Sequence, residues 1–316
     1  MDGSHMADYL VKIGYEVFGL VRRQSTSGTE RIQHLLKPKQ IELLKGDITD
    51  LSSLKSALIE TLPDEVYNFA AQSHVGVSFK EPLHTLDVNG KGALNLFEVV
   101  RHHARDARIY QASSSEMFGG TASYPRSGMD ENTPLLAVSP YGVSKCVAHL
   151  YAQMYRRAYG MFIACGIAFN HESERRGEDF VTRKIVRTVA KIAQGEETTL
   201  ELGNLNACRD WGYAPEYIPA MQKMLRRDKP EDFVLATGEA HSVREFLELA
   251  FELAGIKDGL QYVKIVETET RPKDVPCLLG NAAKARDLLN FKPHITFEEL
   301  VRKMLSVELG YEPART

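Results

Sequence analysis

The chain has 316 residues and a formal net charge of −3 at pH 7. This length suits one large domain or two lobes that share a cleft. The small net charge and the lack of a basic block argue against nucleic acid as a partner. The sequence has no run of about 18 apolar residues and no signal-peptide pattern, which argues against a membrane protein.

Four cysteines are far apart in the sequence, without the paired spacing of a zinc site or a redox motif. They are Cys146, Cys165, Cys208 and Cys277. We interpret them as small apolar residues in a reducing compartment. The sequence therefore predicts a soluble cytoplasmic protein, and we expect no metal site.

The first two-thirds of the chain alternates helix and strand patterns, which is typical of a doubly wound α/β fold with a parallel sheet. Helices are predicted over residues 4–13, 51–62 and 86–103, and strands over 15–21, 41–45, 65–70 and 108–113. Asp50 is the predicted N-cap of the second helix. The last strand delivers the segment ASSSE to its carboxyl end, where ligands bind in sheets of this kind.

A long helix is predicted over 139–159, beginning near Pro140 and ending at Gly160, with a strand over 162–169. The pattern then loosens into a smaller mixed α/β lobe. Its helices are predicted near 180–193, 215–227, 242–254, 282–289 and 296–308, and its strands around 199–202, 232–237 and 262–266. We predict a dinucleotide-binding domain over 1–168 and a substrate lobe over 169–316, with some segments returning to the first domain.

A Rossmann-type half requires a strand, a glycine-rich turn and a helix whose N-terminus holds pyrophosphate. The sequence opens on that helix, so we expect the first strand and most of the turn to be absent from it. Gly3 could be the last glycine of the turn. Residues 3–6 could instead be an expression-vector remnant. Without a buried strand, we expect weak folding or weak nucleotide binding.

The residues after the next two strands bear on the choice of nucleotide. Arg22 and Arg23 stand where an NAD-selective site places an acid, and two guanidinium groups suit a 2′-phosphate and favour NADP. The alternative is an exposed basic strand end. Asp47 could hold the adenine amino group, or it could be an ordinary acid that precedes a helix.

Four residues predict the chemistry. Tyr141 and Lys145 stand four apart in SPYGVSK and so share one helix face. A tyrosine beside an ammonium and an oxidised nicotinamide has its pKa lowered by ~2–3 units, enough to act as a base. Ser114 would orient the same substrate oxygen, and Glu116 indicates a step beyond oxidation. The alternative is an incidental Tyr–Lys pair on a surface helix.

Longer motifs carry a resemblance that covers about 7–308. The segments are QASSSEMFG, SPYGVSK, FNHESERRG, FVTRK, LGNLNACRDWG and ATGEAHSVREF. They resemble the GDP-mannose 4,6-dehydratases of the extended short-chain dehydrogenase/reductase family. The resemblance implies an NADP-containing enzyme that oxidises C4 of the hexose, eliminates water across C5–C6 and returns the hydride to C6.

The resemblance also implies roles for the four residues. Tyr141 would be the base at the C4 hydroxyl, and Lys145 its activator and a ribose ligand. Ser114 takes the orienting position, where many relatives have threonine. Glu116 would remove the C5 proton and help the C6 hydroxyl leave. Related 4-epimerases have a small residue at that position, so Glu116 discriminates between the two reactions.

Further binding residues follow from the resemblance alone. The nicotinamide would lie beside Ala70 and Gln72 and near Arg176, which belongs to a loop that reaches a neighbouring subunit in a homodimer or homotetramer. Glu174 stands where relatives usually have proline, which weakens that prediction. His74 is expected to pack or hydrogen-bond rather than bind metal. The implied GDP-sugar residues are Ser73, Asn170, Lys184, Gly203, Asn204, Arg209 and Arg271.

Several alternatives stay open. The same chemistry could act on a related GDP-sugar such as a GDP-manno-heptose. A C4 oxidoreductase or epimerase would use the same tyrosine and lysine. A non-catalytic nucleotide-binding protein would fit the incomplete glycine turn.

Overall fold

Parallel strands alternate with helices through the first half of the chain, as the sequence predicts. The computed structural model describes residues 1–23, 25, 28–120, 127–266 and 272–311. The helices are α1 (Asp2–Lys12), α2 (Gln33–Leu36), α3 (Leu51–Thr61), α4 (Val75–Lys80), α5 (Pro82–Leu86), α6 (Gly92–His103), α7 (Pro140–Tyr159), α8 (Val181–Ala193), α9 (Ala214–Leu225), α10 (Val243–Leu253), α11 (Ala283–Leu289) and α12 (Phe297–Glu308). The strands are β1 (Val17–Val21), β2 (Ile41–Lys45), β3 (Glu65–Asn68), β4 (Arg108–Ser114), β5 (Ile163–Ala168), β6 (Asn170–Glu172), β7 (Leu200–Leu202), β8 (Cys208–Arg209), β9 (Trp211–Tyr213), β10 (Asp232–Leu235), β11 (His241–Ser242), β12 (Val263–Ile265) and β13 (Cys277–Leu278).

The main sheet has four parallel strands in the order β10-β5-β4-β3, and β1 and β2 form a separate parallel pair. Strand β5 has the sequence IACGIA, and its residues are buried up to the last one. A continuous apolar run of this kind is typical of a parallel strand covered on both faces. The sheet therefore has the layered α/β architecture that the sequence predicts.

Helix α7 begins and ends where its capping residues require. The Ser139 hydroxyl accepts a hydrogen bond from the Gly142 amide at 3.0 Å, and Pro140 occupies the first helical position. Gly160 ends the helix with φ = 67°, a left-handed conformation that favours glycine. Asp50 likewise caps α3, as predicted, by accepting from the Ser52 amide at 3.0 Å.

The helix predicted over 86–103 is divided in the structure. Helix α5 ends at Leu86, a π-helical segment covers Asp87–Lys91, and α6 then begins at Gly92. Helical periodicity continues through all three segments, so the sequence pattern does not reveal the wider turn. The π segment contains the buried Asn89, which becomes part of the site described below.

The second half of the chain contributes to two cores. One core lies wholly within 185–309 and is built from α8, α10 and α12 with their neighbouring strands. Strand β10 instead pairs with β5 in the main sheet, with Asp232 opposite Cys165. Residues of α9 and α11 also pack in the core that contains Tyr110 of β4. The boundary near 168 and the two binding roles of the halves stay predictions.

Candidate active site

The carboxyl end of β4 carries two of the predicted catalytic residues. Ser114 is the last residue of the strand, and Glu116 lies in the 3₁₀ turn Ser115–Phe118 that follows. The Ser114 hydroxyl accepts a hydrogen bond from the Glu116 amide at 3.3 Å. The two residues are only 9% and 8% exposed. Their polar side chains are thus largely shielded from solvent at the carboxyl edge of the sheet.

The start of α7 brings Tyr141 to the same place. The Tyr141 amide donates to the hydroxyl of Ser78, a fully buried residue of α4, at 3.1 Å. Helix α7 also packs tightly on the 3₁₀ turn, since a Cβ at Gly142 would lie 2.7 Å from the Glu116 carbonyl oxygen. A glycine at this position therefore permits the helix and the turn to meet.

The groups that surround Tyr141 shift its pKa. Burial raises the pKa of Tyr141 to about 12, a hydrogen bond with Ser114 opposes that rise, and the charge of Glu116 adds to it. The structure thus brings Ser114, Glu116 and Tyr141 together, as the sequence predicts. With all of the chain's own groups in place, Lys145 included, this pKa stays above its ordinary value. Bringing it below that value therefore requires further positive charge, such as a bound nucleotide supplies.

Lys145 lies one helical turn beyond Tyr141. Its Nζ atom is 5.8 Å from the centroid of the Tyr141 ring and donates a hydrogen bond to the Ala112 carbonyl at 2.9 Å. Burial lowers the pKa of Lys145 to about 8, and the Asp2 carboxylate opposes that shift. The ammonium is therefore fixed close to the tyrosine ring by a backbone acceptor on β4.

A buried network connects the segment before α4 to α7. The side chain of Asn89 accepts from the Gln72 amide at 2.8 Å and donates to the Ser144 hydroxyl at 3.0 Å. Ser144 in turn donates to the carbonyl of Tyr141 at 2.7 Å. The sequence identified Gln72 but not Asn89 or Ser144. Their role depends on contacts between residues far apart in the chain, which no local pattern reveals.

The other predicted residues of this segment lie closer to solvent. Ala70 and Ser73 are exposed, and the Ala70 amide donates to the Asn68 side chain at 3.2 Å. His74 caps α4, because its Nδ1 accepts from the Val77 amide at 3.2 Å. This placement agrees with the hydrogen-bonding role predicted for His74.

The N-terminus of α1 packs on the segment that follows β5. The Asp2 carboxylate lies 3.2 Å from Nε2 of His171, and His5 Nε2 is 2.9 Å from the Ser173 hydroxyl. Burial disfavours charge on His171, yet its bond to Asp2 leaves its pKa raised overall. Asp2 also acts on the pKa values of Tyr141 and Lys145. Sequence reasoning missed the Asp2–His171 pair, whose only signal is the FNHES motif.

Gly3, Arg175 and Arg176 lie where α1 packs on the segment after β5, and each has identifiable contacts. A Cβ at Gly3 would lie 3.9 Å from Phe69, an ordinary contact, so packing at this position does not itself require glycine. Arg176 pairs with Glu172 at 3.0 Å, and Arg175 pairs with Asp8 at 2.6 Å. Both arginines thus make ion pairs within their own chain.

A basic cleft of about 480 Å³ opens at the ends of β1 and β2. It is lined by Arg22, Arg23, Lys45, Gly46, Asp47, Asp50 and Ser53. Arg22 and Arg23 are exposed there. Asp47 is half-buried, and one of its oxygens accepts from the Thr49 amide at 2.8 Å and from the Thr49 hydroxyl at 2.7 Å. Asp47 thus shapes the turn before α3 and also faces the cleft.

Apart from Ser73, the predicted GDP-sugar residues that the structure describes lie in two parts of the second half of the chain. Asn170 and Lys184 are half-buried on β6 and α8, the two elements that follow strand β5 in the chain. Asn204 and Arg209 both bind Asp274, at 3.0 and 3.3 Å, and Gly203 precedes Asn204. Arg209 is 6% exposed. Arg271 lies outside the described residues.

One buried cluster has ligand types that suit a metal ion. Atoms of His149, Cys165 and Asp232 lie within 4.8 Å of one another. Arg156 donates to both oxygens of Asp232, at 2.7 and 2.8 Å. Since this carboxylate already has a cationic partner, the cluster is poorly suited to bind a further cation.

Comparison with known proteins decides the family. The family model described as GDP-mannose 4,6 dehydratase matches residues 1–304. GDP-mannose 4,6 dehydratase 2 of Arabidopsis thaliana is 49% identical over 98% of this chain and 84% of that protein. The human GDP-mannose 4,6 dehydratase is 43% identical over 98% of this chain and 88% of its own length. This chain belongs to the GDP-mannose 4,6-dehydratase family.

A solved structure extends the comparison to the fold. UDP-glucose 4-epimerase of Thermus thermophilus, in a complex with NAD, matches with a TM-score of 0.85 and 25% identity over 98% of this chain and 96% of that one. The predicted family and the doubly wound Rossmann-type fold are thereby confirmed. With the family, the predicted enzyme class, a nucleotide-sugar 4,6-dehydratase, is confirmed as well.

No helix in the described part of the chain has both the length and the apolar character to cross a bilayer.

Proposed function

We propose that this member of the GDP-mannose 4,6-dehydratase family converts GDP-D-mannose to GDP-4-keto-6-deoxy-D-mannose with NADP as its cofactor. The observation that carries the proposal is the buried carboxylate of Glu116 beside the hydrogen-bonded Ser114–Tyr141 pair. A tyrosine and a lysine are sufficient for oxidation and reduction at C4. Elimination of water across C5–C6 needs an additional acid–base group at the neighbouring carbon.

Tyr141 is the group that takes the C4 hydroxyl proton. Its hydroxyl is bonded to Ser114, which can also bind the substrate oxygen and orient it. Because the pKa of Tyr141 is about 12 in the chain alone, the tyrosinate needs cationic support. Lys145, whose Nζ lies 5.8 Å from the ring centroid, supplies part of it. Bound NADP would accept the C4 hydride, return it to C6 and contribute the positive charge of its nicotinamide.

Glu116 handles the second proton. Once C4 is a ketone, the C5 proton is acidic, and a carboxylate can remove it and then protonate the departing C6 hydroxyl. Its amide is bonded to the Ser114 hydroxyl, which sets the position of the glutamate backbone. The two residues act on neighbouring carbons of the sugar because Ser114 ends β4 and Glu116 lies in the turn that follows directly.

The choice of NADP is supported by the cleft at the ends of β1 and β2. Arg22, Arg23 and Lys45 present three cationic side chains to a space of about 480 Å³. A 2′-phosphate carries negative charge and accepts the paired hydrogen bonds that guanidinium groups offer. The Asp47 and Asp50 carboxylates in the same cleft leave one net positive charge among these five residues. The residues therefore fit an adenosine 2′-phosphate better than a free 2′-hydroxyl.

The remaining binding roles are proposals that follow from family membership. Asn170 and Lys184 would contact the sugar and the diphosphate, and Gly203 and Asn204 the guanosine. Arg209 would bind a phosphate, with Asp274 holding its guanidinium. Ala70, Gln72 and Ser73 would lie beside the nicotinamide and the sugar. We also propose a homodimer or homotetramer, in which Arg176 would approach the cofactor of a neighbouring subunit.

A mass measurement of the product tests the reaction. The purified chain is incubated with NADP and GDP-mannose, and the nucleotide sugar is analysed by mass spectrometry. The proposal predicts a product that is lighter than GDP-mannose by one water molecule. A product with an unchanged C6 oxygen would indicate C4 oxidation or epimerisation and would exclude the dehydratase reaction.

A further inference from the structure

Two cysteines that are 69 positions apart in the sequence face each other on neighbouring strands. In the parallel pair of β8 and β13, Cys208 is the register partner of Cys277. The Cys208 amide donates to the Pro276 carbonyl at 2.8 Å, and the Asp210 amide donates to the Leu278 carbonyl at 2.9 Å. Backbone hydrogen bonds thus fix this register on both sides of the cysteine pair.

The spacing of paired strands suits a covalent link. Neighbouring strands lie about 4.8 Å apart, and the Cα atoms of disulfide-bonded cysteines are about 4.4–6.8 Å apart. Side chains of register partners project to the same face of the strand pair. On both strands the cysteine is half-buried while the next residue, Arg209 or Leu278, is buried. The two thiols therefore lie together on the outer face.

The thiols also contact each other. Burial raises the pKa of Cys277, and the hydrogen bond of its thiol with Cys208 is among the further causes. The Cys208 thiol is at the solvent-exposed side, where its Sγ donates to the Asn206 carbonyl at 3.6 Å. The pair is thus open to a reagent through Cys208, and Cys277 is placed to react second.

We propose that Cys208 and Cys277 form a dithiol modification site, which a small-molecule disulfide oxidises to a cross-strand disulfide. In the first step the Cys208 thiolate attacks one sulfur of the oxidant R–S–S–R, and one R–SH leaves. The Cys277 thiolate then attacks Sγ of Cys208 in the mixed disulfide, and the second R–SH leaves. The protein loses two electrons and two protons, which the two released thiols carry away.

The modification would act on a residue with an assigned role. Arg209 Nη1 donates to the Cys208 carbonyl at 2.8 Å and to the Val275 carbonyl at 2.9 Å. The disulfide would therefore join β8, which carries one of these two carbonyls, to β13, which begins two residues after the other. Its effect on GDP-sugar binding rests on the proposed function, whereas formation of the disulfide does not.

Peptide mapping of the oxidised protein tests the site. The folded full-length chain is exposed to oxidised glutathione, the remaining thiols are blocked, and the protein is digested without reduction. We expect a peptide that joins residues 208 and 277 and a loss of two hydrogen atoms from the intact mass. Since the disulfide closes a long loop, we also expect the Tm to rise by roughly 5 °C.

Matched variants make the result interpretable. Cys146→Ser should keep the cross-linked peptide, and Cys277→Ser should stop at one glutathione adduct on Cys208. The proposal is overturned if the folded wild type forms no such peptide, or if Cys208 or Cys277 is joined instead to Cys146 or Cys165. It is also overturned if Cys208 takes up no glutathione in any variant.

A kinetic measurement separates this site from the proposed function. We expect oxidation to change the KM for GDP-mannose at least twofold, and reduction to restore it, while Cys208→Ser shows no response. An unchanged KM in fully cross-linked protein would refute the link to Arg209. Failure of the reduced enzyme to dehydrate GDP-mannose would count against the proposed function and would leave the peptide-mapping result unaffected.

Discussion

The Nζ atom of Lys145 donates a hydrogen bond to the carbonyl oxygen of Ala112 at 2.9 Å. This bond joins helix α7, which carries Tyr141, to strand β4 two residues before Ser114. It places an ammonium in a buried position where the pKa of Lys145 falls to about 8. The relative position of Tyr141 and Ser114, for which we propose catalytic roles, thus depends in part on a charge that burial disfavours.

Replacing Lys145 by an uncharged residue should lower the activity and raise the stability of the protein. Lys145→Met keeps most of the side-chain volume but removes the ammonium, so we expect dehydration of GDP-mannose to fall at least about 100-fold. Burial lowers this pKa from 10.5 to about 8, so the folded state at pH 7 bears the cost of the buried charge. The variant also loses the hydrogen bond to Ala112, which offsets part of this gain. We therefore expect its free energy of unfolding, measured by denaturant titration, to exceed that of the wild type by roughly 1–2 kcal/mol.

The pH dependence of stability tests whether the buried charge of Lys145 causes the gain in the free energy of unfolding. The cost of charged Lys145 is fully present below about pH 8 and disappears as the pH rises towards 10.5. The stability difference between Lys145→Met and wild type should shrink over this range. Lys55→Met, at an exposed position of α3, serves as the control. A methionine variant that is less stable than wild type at pH 7 would contradict the assignment.

His5 should make the protein sensitive to mild acid. Burial, with the nearby charge of Arg175, lowers the pKa of His5 to about 4 from 6.5. A histidine with a depressed folded pKa contributes stability that is present above pH 6.5 and is lost as the pH falls to about 4. The contribution is on the order of 3 kcal/mol. The free energy of unfolding, measured by urea titration, should fall over this window.

Two variants isolate the contribution of His5. His5→Gln can still hydrogen-bond to Ser173 but does not titrate, so its stability should fall less between pH 6.5 and 4. His103→Gln, on the exposed end of α6, should follow the wild-type curve. If His5→Gln and wild type lose stability in parallel, the buried histidine is not the cause.

The basic cleft should distinguish NADP from NAD. Replacing Arg22 and Arg23 together by alanine removes two charge-assisted partners of a 2′-phosphate, each contributing roughly 1.5–3 kcal/mol. We expect the Kd for NADP, measured by calorimetry, to rise at least about 100-fold while that for NAD changes less than about threefold. Lys257→Ala, in the second lobe, should affect neither. Equal weakening of both nucleotides would place the 2′-phosphate elsewhere.

The sequence predicts local structure well where one residue determines it. Asp50 caps α3 and Gly160 ends α7 at the predicted positions, because a side-chain acceptor and a left-handed glycine act over only a few residues. The prediction of one continuous helix over 86–103 is wrong at Asp87–Lys91, where the structure has a π-helical segment. The sequence does not reveal this segment because it keeps much of the helical spacing of apolar residues. Several strand ends differ from the predicted ones by one or two residues, because element boundaries are the part of a sequence pattern that is least well defined.

The site was predictable only in part. Ser114, Glu116, Tyr141 and Lys145 stand in recognisable motifs, and the structure brings them together at one sheet edge. The Asp2–His171 pair depends on a contact across 169 positions of sequence, and no periodicity reports it. The cysteines give the clearest example. Their spacing predicts isolated thiols, but the register of β8 and β13 makes Cys208 and Cys277 neighbours.

The most direct test of the account is a single-turnover measurement on Glu116→Gln with NADP and GDP-mannose. Glutamine keeps the size of the side chain but cannot remove the C5 proton. Tyr141→Phe, the matched control, should block oxidation altogether. For Glu116→Gln we predict normal nucleotide and GDP-mannose binding, reduced nicotinamide visible by its absorbance, and a 4-keto sugar that retains its C6 oxygen. Loss of water from the sugar at the wild-type rate would contradict the role of Glu116.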